Sequence, residues 1–257
     1  MQNRKIKMLK KIILIQSVAI IILAGLLCYE IKINQNFQIS LPIVSEKITN
    51  NSAKETKKLL VIGNSITLNK TYEHWWGYWG MAASSRDKDY VHVLANKIAQ
   101  DYNVKLDIMN FYHWELNDKD RTQILDMLNT ALNKKPDYIV IQLGDNIVKP
   151  QGQNLDTDYD LLVKYIKNKT EKSQIIIVGN FWRNRTVDKV KHRVCINNQI
   201  RCVYLNRIQN DKYKAVMGSI VKGDDNKEHQ IDYISVSNHP NDEAMNYIAN
   251  KIYFSLY

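Results

Sequence analysis

The 257-residue chain carries 36 Lys and Arg against 26 Asp and Glu, a net charge of +10, and 45% of its residues are hydrophobic. That length holds one medium-sized domain with a full core plus an appendage and argues against two equal domains; no internal repeat or low-complexity tract is present. Half of the charge excess lies in the first eleven residues, in Arg4, Lys5, Lys7, Lys10 and Lys11; the rest is spread without a basic run, which speaks against nucleic-acid binding and leaves acidic surface polymers open as partners.

From Ile12 to Cys28 the sequence reads IILIQSVAIIILAGLLC, without a charge. After the basic flank 1–11, this run reads as one transmembrane anchor, at the short end of the spanning range. The alternatives are a cleaved signal peptide and a core helix, but no clear small-x-small cleavage site follows and the run is apolar all round. The basic flank belongs in the cytoplasm and the remainder outside. Residues 29–57 are polar, include Pro42, and lack helical or strand periodicity, so they read as a stalk. The folded outer domain is expected over 58–257.

Within it, short apolar runs recur at Leu59–Ile62, Tyr138–Ile141 and Ile175–Val178, and more weakly at Leu106–Met109 and Cys202–Leu205. Continuous β-branched runs suit strands covered on both faces. Helical spacing appears at about 89–101, 118–133, 156–168, 186–199 and 241–255. The alternation predicts a parallel five-stranded sheet sandwiched by helices, its crevice beyond the carboxyl ends of the strands. Cys195 and Cys202 straddle a helix-to-strand junction, where a bridge and two buried thiols fit equally well.

The loops at those strand ends carry all five tryptophans. Any one Trp is most simply a cap on the core; together, Trp76, Trp79, Trp114 and Trp182 are candidates for an aromatic cleft suited to sugar rings or acyl chains. The first strand ends in Gly63-Asn64-Ser65-Ile66-Thr67, which sets a serine on a sharp turn. Thr67 stands where the Gly-x-Ser-x-Gly elbow would need glycine. Gly80 offers an unobstructed backbone N–H, Asn146 follows a strand within Gly144-Asp145-Asn146, and His239 precedes Pro240 and the last helix. No dinucleotide or phosphate-cradling glycine pattern is present.

In this order the four blocks resemble the SGNH hydrolases, also called GDSL-type esterases and lipases, from about Lys58 to the C-terminus. The resemblance implies a flavodoxin-like three-layer α/β/α fold, Ser65 as nucleophile, His239 as its base, and Ser65, Gly80 and Asn146 as the oxyanion hole, with neither cofactor nor metal. The chain departs from the family pattern in three places: Asn64 stands for the usual Asp, Ile147 follows the block Asn, and Val236 occupies the position of the triad acid. Asp242 and Asp232 are the candidates for a displaced acid; a Ser-His dyad whose ring is held by a backbone carbonyl is the other arrangement. The expected function is a membrane-anchored, extracytoplasmic serine esterase of a bacterial cell envelope, acting on an acyl ester such as a carbohydrate acetate. The alternatives are an O-acyltransferase using the same two residues on a glycan acceptor and a non-catalytic glycan-binding relative.

Overall fold

The computed structural model describes residues 42–49, 53–116, 120–148 and 154–257, all within the second of two compact units, Leu41–Tyr257. The basic flank and the apolar run 12–28 lie outside the described residues. Among those described, no helix is long and apolar enough to cross a membrane.

Six strands form the main sheet: β1 (Ile43–Ile48), β2 (Thr56–Gly63), β3 (Asn103–Asn110), β4 (Tyr138–Gln142), β5 (Gln174–Val178) and β6 (Arg201–Val203), in the order β1-β3-β2-β4-β5-β6. All neighbours run parallel except β1, which pairs antiparallel with β3. The helices are α1 (Tyr90–Ile98), α2 (Tyr112–Leu116), α3 (Asn129–Leu132), α4 (Leu155–Lys169), α5 (Arg185–Asn198), α6 (Ile234–Ser237) and α7 (Asp242–Leu256).

The apolar runs split by parity, because successive strand residues point to opposite faces. Leu59, Val61, Val140, Ile176 and Val178 face one core with α1 and α7, while Leu60, Ile62, Ile139, Ile141, Ile175 and Ile177 face a second core with α4 and α5. Each fully buried Leu, Ile or Val contributes roughly 1.5–3 kcal/mol relative to exposure, so both helical layers are needed to cover the sheet. Gly63 lies opposite both Asn110 and Gln142. The carboxyl ends of β2, β3 and β4 therefore finish level, and their loops emerge together.

Three expectations are corrected. The sheet has six strands rather than five, because residues 43–48 of the expected stalk form β1. Its Val44 and Ile48 pack against the first core while Ser45 and Lys47 stay exposed, an edge position that tolerates a polar strand. The region 118–133 is mainly a 3-10 stretch, Arg121–Leu128, before the short α3. A hairpin of β7 (Ile220–Lys222) and β8 (Glu228–Gln230) also appears, too short and too polar to stand out in the sequence. Of the two states open to the cysteines, the structure has the disulfide, joining α5 to β6 across a Cα–Cα distance of 6.1 Å.

Candidate active site

The turn after β2 is built by its small and amide residues. Asn64 accepts at its carbonyl from the N–H groups of Thr67 and Leu68, both at 3.0 Å, and its Oδ1 accepts from Ile66 N–H at 3.0 Å. Thr67 folds back so closely that a Cβ on Gly63 would lie 1.8 Å from its hydroxyl, which is why a glycine stands there. The result holds Asn64 buried and leaves Ser65 partly exposed.

His239 arrives from the other end of the domain, just after α6. Its Nε2 lies 2.8 Å from Ser65 Oγ, and its Nδ1 lies 2.8 Å from the carbonyl oxygen of Ser235. A carbonyl only accepts, so Nδ1 carries the hydrogen and Nε2 is free to accept from the serine. The ring is 5% exposed, and burial pushes its pKa down to about 4. It is therefore neutral at pH 7, the form a general base requires. The Trp182 indole stands edge-on to the imidazole at 5.0 Å and donates from Nε1 to the Asn238 carbonyl at 3.0 Å, bracing the histidine from the side.

Neither candidate acid holds the imidazole. Asp242 accepts from the Ser84 amide at 2.8 Å and the Ser84 hydroxyl at 2.5 Å, in the first turn of α7. Asp232 lies 3.0 Å from His74 Nδ1. Of the two arrangements read from the sequence, the geometry is that of the dyad with a backbone carbonyl.

The expected oxyanion donors are only partly free. Ser65 N–H donates to no group among the described residues. Gly80 N–H donates to Asp89 Oδ2 at 3.0 Å, and a Cβ there would come within 2.4 Å of the Ile66 carbonyl oxygen. Its place is thus explained by close backbone approach, and the expected free N–H is occupied. Asn146 donates one amide hydrogen to Glu115 Oε2 at 2.5 Å, leaving its second for a ligand.

Glu115 is not among the residues that the sequence motifs mark for the site. At 2% exposed, on α2 beyond β3, it also accepts from Asn64 Nδ2 at 3.1 Å, from Asn146 N–H at 3.4 Å and from Gly144 N–H. One carboxylate thus ties the nucleophile turn to the Asn146 loop. The available signal was an acid flanked by Trp114 and Leu116 directly after a strand.

Asp145 extends the brace. It accepts from the amides of Phe181 and Trp182 at 2.8 and 3.0 Å and from Gln142 Nε2 at 2.6 Å. Burial of its carboxyl, against the opposing pull of the buried Lys191 ammonium, raises its pKa to about 7.

The tryptophans divide. Trp79 lies in the first core and Trp114 in the second, so neither walls a cleft as expected. Trp182 reaches the site. Trp76 is partly exposed and stacks on His229 with ring centroids 4.5 Å apart. Among the described residues no cluster of His, Cys, Asp or Glu is arranged to hold a metal.

Comparison with solved structures bears on this arrangement. A two-domain esterase active on acetylated mannans matches with a TM-score of 0.52 at 16% identity, over 79% of this chain and 50% of that one. TesA matches at 0.50 and 15%, over 78% of this chain and 98% of its own. An active-site mutant of a family two carbohydrate esterase from Clostridium thermocellum matches at 0.50 and 15%, over 78% and 63%. The fold is shared with esterases. This chain spans about half the length of the mannan esterase, and the identities are low enough that the likeness concerns the fold alone. No protein-family model and no curated protein matches the sequence.

Proposed function

We propose that the protein is a serine esterase of SGNH type that works with a Ser65-His239 dyad. The observation that carries this reading is the 2.8 Å contact between Ser65 Oγ and a neutral, buried His239 Nε2. Ser65 Oγ attacks the ester carbonyl carbon while Nε2 takes its proton, and Nδ1–H keeps its bond to the Ser235 carbonyl as the ring becomes cationic. The oxyanion faces Ser65 N–H and the second amide hydrogen of Asn146. The imidazolium then protonates the departing alkoxide, leaving acyl-Ser65. Water, deprotonated by His239, attacks the acyl carbon; the bond from that carbon to Ser65 Oγ breaks, Oγ takes the proton back from the imidazolium, and the acid leaves.

An acetylated glycan is the first substrate to try, because one solved neighbour is an esterase active on acetylated mannans and Trp182 offers an indole beside the reacting pair. The apolar run 12–28 behind a basic flank supports an anchored, outward-facing enzyme. The test is turnover of an aryl acetate and of an acetylated oligosaccharide by the native chain, Ser65→Ala and His239→Ala, with circular dichroism to verify folding. Each folded variant should lose roughly 10⁴-fold or more in kcat/KM; turnover equal to the native protein's would overturn the reading.

A further inference from the structure

Between α5 and the segment that follows β6 lies an open cavity of about 810 Å³ that the dyad does not use, lined by Arg183, Arg185, Asp188, Lys189, His192 and Tyr204, with Asn206 and Gln209. Arg185, Lys189 and His192 follow one another on α5 at intervals of four and three residues. They therefore share one helix face and form a stripe about 10 Å long. Arg183, Arg185 and Lys189 are exposed and make no ion pair among the described residues. By contrast Arg193, on the same helix, is paired with Asp156.

The single acid of the lining already accepts two hydrogen bonds: Asp188 Oδ1 from the Asn180 backbone N–H at 2.9 Å and Oδ2 from Gln209 Nε2 at 3.4 Å. The groove thus carries three fixed positive charges against one negative. Across from the stripe, Tyr204 is 44% exposed, its ring 5.9 Å from that of His192. Guanidinium forks match carboxylate and phosphate oxygens, and a half-exposed tyrosine supplies a flat face for a sugar ring. In sequence, Arg183 of the lining directly follows Trp182, whose indole stands edge-on to His239.

We propose that this groove binds the anionic groups of an acidic glycan, carboxylate or phosphate. That it delivers an ester of the same chain to Ser65 rests on the esterase reading; that it binds the polyanion does not. The partner chemistry is a saccharide chain carrying repeated negative charge.

The test uses the full chain with Ser65→Ala, so that nothing turns over, titrated with polygalacturonate, with a poly(sugar phosphate) and with neutral mannan. Tighter binding of at least one acidic polymer than of mannan is expected, weakening as sodium chloride is raised because exposed charges are screened. Arg185→Gln with Lys189→Gln should weaken that binding tenfold or more, Lys189→Glu should weaken it further than Lys189→Gln, and mannan should be unaffected. The two acidic arms separate carboxylate from phosphate recognition. Equal affinity for acidic and neutral polymers, no binding of either acidic polymer, or indifference to the double substitution would overturn the proposal. With Ser65 intact, the double variant should turn over an aryl acetate at the native rate while KM for acetylated polygalacturonate rises. Absence of aryl acetate turnover in the native chain would sink the esterase reading and leave the binding result standing.

Discussion

Asn64 Nδ2 donates to Glu115 Oε1 at 3.1 Å, with both side chains buried. This contact accounts for the amide at position 64, where the resemblance read from the sequence leads one to expect Asp. An aspartate at 64 would set a second carboxylate against the first in a dry site, whereas Asn both donates to Glu115 and accepts from Ile66 N–H. Asn64→Asp should therefore destabilise the fold by about 3 kcal/mol. Adding Glu115→Gln should restore part of the loss, with a coupling of about 1–2 kcal/mol in a denaturant-unfolding double-mutant cycle. Strictly additive losses would remove this explanation.

Acidification should act through His239. Its folded pKa, about 4, lies below the ordinary 6.5. The unprotonated base then persists on acidification, and kcat/KM for an aryl acetate should be lost only as pH falls through about 4. Linkage has a definite sign here as well: between those two values the unfolded chain binds a proton that the folded chain refuses. The contribution of this residue to stability is thus fully present above pH 6.5 and falls by about 3 kcal/mol toward pH 4. An acid limb centred at 6.5 would mean that the imidazole is far more solvated than it is here.

The two aspartates once eligible as triad acids should behave differently from an orienting acid and from each other. Asp242→Asn removes charge from the first turn of α7 and weakens its bonds to Ser84, which should cost about 1–2 kcal/mol in stability. Asp232→Asn disturbs only a largely exposed pair with His74 and should cost less than about 0.5 kcal/mol. Each should retain kcat/KM within about threefold, less than 1 kcal/mol in the barrier. Loss of an orienting acid instead costs about 10⁴-fold, so a fall of that size in either variant would restore the acid to the mechanism.

Reducing Cys195–Cys202, seven positions apart, opens a short loop. The entropy released to the unfolded chain should lower stability by about 2.5 kcal/mol. Denaturant unfolding with and without reductant measures this, and aryl acetate turnover below the transition should be unchanged because the bridge lies away from Ser65 and His239.

The parts legible in the sequence were those with strong local signals. The runs at 59–62, 138–141 and 175–178 are apolar at every position because both sheet faces are covered, and their carboxyl ends marked the loops of Ser65 and Asn146. Ser65 and His239 stand out in the sequence because a glycine turn and a Pro-initiated helix flank them, and the structure brings their side chains together. What escaped depended on long-range contacts. β1 is half polar because it is an edge, and Glu115 is an acid whose four N–H partners come from Asn64, Gly144 and Asn146, remote in the chain. Trp79 and Trp114 sit in loops by sequence yet in cores by structure, since a loop that folds inward needs large apolar side chains of its own. Gly80 could be recognised as a special position, but its N–H being occupied by Asp89 could not.

The atom that holds the imidazole in register belongs to the main chain. A peptide oxygen has no proton to gain across the working range of pH, and no codon change at position 235 deletes it. Tautomer selection in this protein is accordingly indifferent to which side chain occupies that position and vulnerable to the path of the short turn instead. Substitution of Ser235 that keeps the turn would leave the His239 Nδ1 contact in place, because the carbonyl and not the side chain makes it.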